Sequence, residues 1–140
     1  MNKFLLSLMF CFLVLVSCAS QTKYPKTFEL ASDELNVDLN ENYDVFVNAV
    51  NLFPKDAYYR VKESDYEGND TSIKMIFDLG YTEIYSNASG DVFFNKFSEG
   101  IPFYGIVWLN DERGIVGIPD TKSKYLTEDK KWISYYDPVL

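Results

Sequence analysis

The sequence predicts an α+β domain over residues 28–140, with two helices packed on an antiparallel sheet of about four to six strands. Three observations carry this. Apolar residues recur at helical spacing over 40–54 and again over 70–80, the period changes to two beyond Tyr81, and turn-forming NASG (87–90) and NDERG (110–114) punctuate the alternation. Helices followed by consecutive hairpin-linked strands give one helical layer on a curved sheet.

In the first helical segment Tyr43, Phe46, Val47, Val50 and Phe53 share a face, Asn40 can cap and Pro54 stops the run, although its valines also suit a strand. Residues 57–63 remain open between a strand, with Ala57, Tyr59 and Val61 inward, and a short helix after Pro54. The second helix is better marked: Asp70 can cap it, Ile73, Ile76 and Phe77 share a face, and Gly80 follows Leu79 where a left-handed stop residue is expected. Strands are predicted over 81–86, 91–97, 103–109, 114–118 and 132–136. In the third of these, Phe103, Gly105 and Val107 alternate with Tyr104, Ile106 and Trp108. Both sets are apolar, so both faces are covered or one is an interface. Residues 119–131 read as a solvated loop gathering Lys122, Lys124, Lys130 and Lys131 near Arg113.

Ahead of the domain lies an apolar run, Phe4 to Val16, of about thirteen residues. A helix needs on the order of twenty to cross a bilayer, so the run is too short for a good span. Lys3, the apolar run and Ser17 instead have the layout of a secretory signal peptide over 1–17. Leu15-Val16-Ser17-Cys18 resembles the lipobox of bacterial lipoproteins. That resemblance implies cleavage between Ser17 and Cys18, diacylglycerol on the Cys18 thiol, and acylation, typically by palmitate, of the freed amine. Several acyl chains make a stable anchor where one is marginal. Ala19 in place of Asp implies, for a Gram-negative source, sorting to the outer membrane, with the domain on the periplasmic face. Residues 18–27 read as the lipidated N-terminus and a polar tether, reaching about 30 Å if extended.

The only cysteines are Cys11, inside the signal segment, and Cys18, at the lipid site, so the mature domain is expected to have no thiol left for a disulfide, metal or nucleophile. Loss of 1–17 removes Lys3 and takes the net charge from −8 to −9. This acidity argues against nucleic acid, whose binding needs Lys and Arg. Between Lys26 and Lys55 stand Glu29, Asp33, Glu34, Asp38, Glu41 and Asp44 with no basic residue. The segment is either a solvated face or a docking surface for a basic partner, and Asp33, Glu34, Asp38, Glu41 and Asp44 are its candidate contact residues. If the basic run at 122–131 lies apart from it, the surface is dipolar.

The chain has no histidine, which removes the commonest general base and the usual zinc ligand. No carboxylate pair is distinguished from the general acidity, so no catalytic residue is nominated and the protein is expected not to be an enzyme. ESDYEGNDTSIK (63–74) alternates Glu63, Asp65 and Glu67 and has Gly68 at the sixth place. A calcium loop, however, needs Glu at the twelfth, where Lys74 stands, and an apolar eighth, where Asp70 stands. A turn ending in a helix cap explains it more simply. Neither metal nor cofactor is expected beyond the covalent lipid on Cys18.

The order helix, Leu79-Gly80, strands, and the hairpin VWLNDERGIVGI resembles the SmpA/OmlA family of barrel-assembly accessory lipoproteins. There a lipid-anchored αα-βββ module binds other envelope proteins. The likeness covers Asp70 to Ile118. The chain lacks the Gly-Met-Thr that begins that family's first helix and has extra strand-like sequence at its C-terminus, so no residue role is carried over. The expectation is a non-enzymatic protein-binding or scaffolding lipoprotein. The alternative is an inhibitor or immunity lipoprotein that blocks a basic enzyme or toxin through the acidic 29–44 face.

Overall fold

A computed structural model describes residues 27–96, 103–111 and 122–137. The signal segment, the cleavage pair Ser17 and Cys18, nearly all of the tether, Arg113 and the strand expected at 114–118 lie outside these residues. The chain runs α1 (Phe28–Glu41), α2 (Tyr43–Val50), β1 (Tyr59–Lys62), α3 (Thr71–Asp78), β2 (Glu83–Ser86), β3 (Val92–Lys96), β4 (Phe103–Trp108), β5 (Lys122–Tyr125) and β6 (Trp132–Asp137). The strands form one antiparallel sheet in the order β1-β2-β3-β4-β6-β5. The fold is α+β, with three helices where two were expected.

The additional helix is α1. Thr27, assigned from sequence to the tether, is its N-cap, the hydroxyl accepting from Leu30 N at 3.3 Å. Ala31, Leu35 and Leu39 recur every four residues and are fully buried. The chain then breaks at Asn42, which caps α2 in place of Asn40, and its side-chain amide ties back to Asp38 O at 3.0 Å. In α2, Phe46 is the hub of the core, packing edge-on against Phe94, Tyr81 and Trp132 at ring separations of 5.1, 5.6 and 6.0 Å. Tyr43, expected on the same inward face, is 43% exposed. The third helix matches its sequence signals: Asp70 accepts from Ile73 N at 3.1 Å, Ile73, Ile76 and Phe77 are buried, and Gly80 takes φ +89°. Asp70 is thus engaged as a cap.

Residues 59–62 settle as an edge strand followed by a single 3-10 turn at Glu63–Asp65, and Ala57 and Tyr59 are exposed rather than inward. The loop expected at 119–131 is corrected in part: Lys122–Tyr125 form β5, pairing along β6 with Lys124 opposite Ser134. All four side chains of β5 are exposed, so it has none of the alternation that marks a half-buried strand. Short, lysine-bearing edge strands of this kind limit edge-to-edge pairing.

Both sheet faces are buried. Beneath the helices lie Ile84, Val92, Phe94, Tyr104, Ile106, Trp132 and Tyr136. On the opposite face Phe93, Val107, Leu109, Ile133 and Tyr135 form a second cluster with Tyr85, whose ring stacks on Phe93 at 4.7 Å and 4°. Among the described residues, Phe93, Phe94, Tyr104, Trp132, Tyr135 and Tyr136 are therefore core.

A polar row crosses this second face. Arg60 Nε donates to Glu83, Asn95 Nδ2 donates to the other Glu83 oxygen at 3.1 Å, and the Tyr135 hydroxyl donates to Asn95 Oδ1. Asn95, Gly105 and Tyr135 stand opposite one another on β3, β4 and β6, so Tyr135 must reach across β4. Only glycine permits this at 105: a Cβ there would lie 2.0 Å from Phe94 O and 2.8 Å from the Tyr135 hydroxyl. Burial pushes the Tyr135 phenol well above the ordinary tyrosine range and lifts that of Tyr85 to about 12. Gly105→Ala should therefore destabilise the domain by about 3 kcal/mol, the upper end for overpacking, because the nearest obstacle is backbone. Urea unfolding checks this, with Gly80→Ala, which meets nothing within 4 Å but is strained by its positive φ, as the comparison.

Candidate protein-docking face

The acids of 29–44 are sorted by the geometry of α1. At about 100° per residue, Ala31, Leu35 and Leu39 face the sheet, Leu30, Asp33, Val37 and Glu41 face away, and Glu34 and Asp38 lie on the flank between. Those flank acids meet Lys96. In β3 the residues Val92, Phe94 and Lys96 share the helix-facing side, which places an amine only 6% exposed against α1. Lys96 Nζ donates to Glu34 Oε1 at 2.6 Å and to Asp38 Oδ2 at 2.7 Å, and sits 4.8 Å from the centre of the Tyr81 ring. The Tyr81 hydroxyl donates to Asp38 Oδ2 at 3.1 Å, and Tyr104 reaches Glu34 at 3.4 Å. Burial, with Asp38 alongside, pushes the Tyr81 phenol well above the ordinary tyrosine range.

Glu34 and Asp38, two of the five candidate contact residues, are thus engaged inside the fold. Asp33, Glu41 and Asp44 are exposed and, among the described residues, form no ion pair. Around them lie exposed apolar groups: Leu30 at 58%, Val37 at 51%, Tyr43 at 43% and Met75 at 40%. Where α1 meets α2, Asn40, Glu41, Asn42, Tyr43, Asp44, Val45 and Met75 line an open hollow of about 350 Å³. Neither Tyr43 nor Met75 was nominated from sequence. Both occupy helical positions whose exposure depends on how α2 and α3 pack together.

The basic residues of 122–131 do not lie wholly apart from the acidic segment. Ser32 Oγ and Ser134 Oγ are 2.9 Å apart, and Ser134 Oγ donates to Lys124 O at 3.3 Å, so the first turns of α1 cross β6 beside β5. The Glu29 carboxyl is held below the usual range by its backbone hydrogen bond first, then by Thr27 and the nearby Lys122. Glu41 is twelve residues further along α1, about 18 Å at 1.5 Å per residue. Acidic and basic surfaces accordingly meet at the start of α1 and diverge along it.

Comparison with known proteins gives no matching family model, characterised sequence or solved structure. Function must be argued from the geometry itself.

Lys96→Ala leaves the Glu34 and Asp38 carboxylates without their cation. It should cost roughly 3 kcal/mol, the lower end for breaking a buried pair, since Glu34 keeps some solvent. Asp33→Lys, next to Glu34 in the chain but outward, should stay within about 0.5 kcal/mol of the parent. Denaturant titration of both variants checks the division between structural and free acids.

Proposed function

We propose that the protein is a lipid-anchored, non-enzymatic protein-binding module of the outer membrane, held on the periplasmic face through Cys18. Its outward α1 and α2 surface docks a basic partner. Anchoring rests on Leu15-Val16-Ser17-Cys18. Docking rests on one observation: Glu41 and Asp44, which form no ion pair among the described residues, line the hollow together with exposed Tyr43 and Met75, while Asp33, equally unpaired there, lies on the same outward side of α1 as exposed Leu30 and Val37. A lysine or arginine of the partner can lay its aliphatic stem on Tyr43 and Met75 and place its charge between Glu41 and Asp44. Exposed carboxylates of this kind act chiefly on encounter rate and specificity.

The hollow also favours a second reading, an inhibitor or immunity lipoprotein. Insertion of a basic side chain from an enzyme or toxin would seat α1 against that protein's surface and obstruct its cleft.

Two measurements test the proposal. Cys18→Ser should abolish palmitate labelling and leave the precursor uncleaved; a Cys18→Ser protein that still labels and fractionates as a mature membrane protein sinks the anchor. For docking, a partner recovered by crosslinking should associate more slowly with the Asp33→Lys, Glu41→Lys, Asp44→Lys variant. Its parent affinity should fall as salt shortens the screening length from about 10 Å at 0.1 M to about 3 Å at 1 M. An unchanged on-rate and salt response would reduce the segment to a solvated face. Stoichiometric loss of an enzymatic activity in the recovered partner would select the inhibitor reading.

A further inference from the structure

We infer that the β5 edge is a membrane-facing surface: Lys122, Lys124 and Lys130, with exposed Tyr125, seat the domain on anionic lipid headgroups and turn the acidic hollow away from the bilayer. The inference rests on the anchoring proposed above and deepens it from attachment to orientation.

Where the described chain begins decides which part of the domain lies near an anchor. Thr27 caps α1, and only eight residues stand between it and Cys18. A stretch of that length reaches at most about 30 Å, so Thr27 is the point of the described domain held nearest Cys18, and Glu41 lies about 21 Å further along the helix. The start of α1 is therefore the membrane-proximal end. What surrounds it is β5, because Ser32 contacts Ser134 on β6 and Ser134 bonds to the backbone of Lys124.

The chemistry of β5 suits a headgroup layer. Lys122 and Lys124 project on the helix side of the sheet and Tyr125 on the other, so the edge presents cations on one side and an aromatic on the other. Tyr125 is 46% exposed, and Lys130 Nζ lies 5.9 Å from its ring centre. Tyrosine beside lysine is a pairing enriched at membrane interfaces, where the ring sits at headgroup depth and the amine meets phosphate. The acids nearby offset this only in part. Asp129 is turned into its own loop, accepting from Lys131 N at 3.0 Å and from the Thr127 hydroxyl, while Glu29 and Glu128 are exposed. Tethering makes a modest attraction sufficient, since a short linker holds the surface at millimolar effective concentration. At the other end of α1, Glu41 and Asp44 are repelled by the same anionic surface.

The test uses the lipidated protein in vesicles, with a fluorophore on Ser123→Cys in β5 or on Asp78→Cys at the end of α3, both exposed positions. Flotation with the vesicles is read first. A protein that stays behind refutes the anchor and the orientation together. For protein that floats, a quencher on the lipid headgroups should act several-fold more strongly at 123 than at 78 in mixed phosphatidylglycerol and phosphatidylcholine. The contrast should shrink in phosphatidylcholine alone and in the Lys122→Glu, Lys124→Glu, Lys130→Glu variant, with the three Lys→Gln changes intermediate. Equal quenching at both positions in floating protein, or a contrast indifferent to lipid charge and to these lysines, overturns the orientation while leaving the anchor standing.

Discussion

A lysine on the apolar side of a sheet sets the terms for the helical layer. Lys96 follows Val92 and Phe94 on the face that builds the main core, and a cation there is tolerable only if its charge is met. Two carboxylates one helical turn apart, Glu34 and Asp38, supply that charge and approach the same amine within 0.1 Å of each other's distance. The spacing of the acids, the tilt of α1 and the position of β3 are thereby linked. Tyr81 and Tyr104 add hydroxyls to the same carboxylates, so aromatic walls flank the polar site, which meets solvent on the Glu34 side.

The opposite face solves a similar problem differently. Arg60, Glu83, Asn95 and Tyr135 come from four strands and satisfy one another in a row, and the row closes only because β4 contributes glycine at its crossing point. The sheet thus has a polar seam on each side, one held by a helix and one by a phenol reaching over a strand. Such seams disfavour alternative registers, since a one-residue slip would carry Lys96, Glu83 and Asn95 to the wrong faces.

Elements whose signals are local were legible in the chain. The helix at 71–78 had its cap, its face and its left-handed stop within eleven residues, and β2, β3, β4 and β6 alternated or ran apolar over enough length to be recognised. Two elements were not. In α1 three apolar positions spaced by four are surrounded by acids, and the partner that makes Glu34 and Asp38 structural lies some sixty residues away, at Lys96. Strand β5 is Lys-Ser-Lys-Tyr, held by its backbone against β6, and backbone pairing leaves no mark on composition. The candidate face was legible by the same measure: its charge was visible in 29–44, whereas its division into engaged and free acids, and the contribution of Tyr43 and Met75, required tertiary packing.

The contacts of α1 have a mechanical consequence. A pull applied at Thr27 along the axis of α1 enters the domain through this helix. Sliding α1 by one turn would displace its side chains by about 5.4 Å, so the Ser32–Ser134 contact and both carboxylates on Lys96 would have to yield together rather than in sequence. Force along that axis is loaded in shear across contacts that act in parallel, and it is delivered to β3 and β6, neither of them an edge strand.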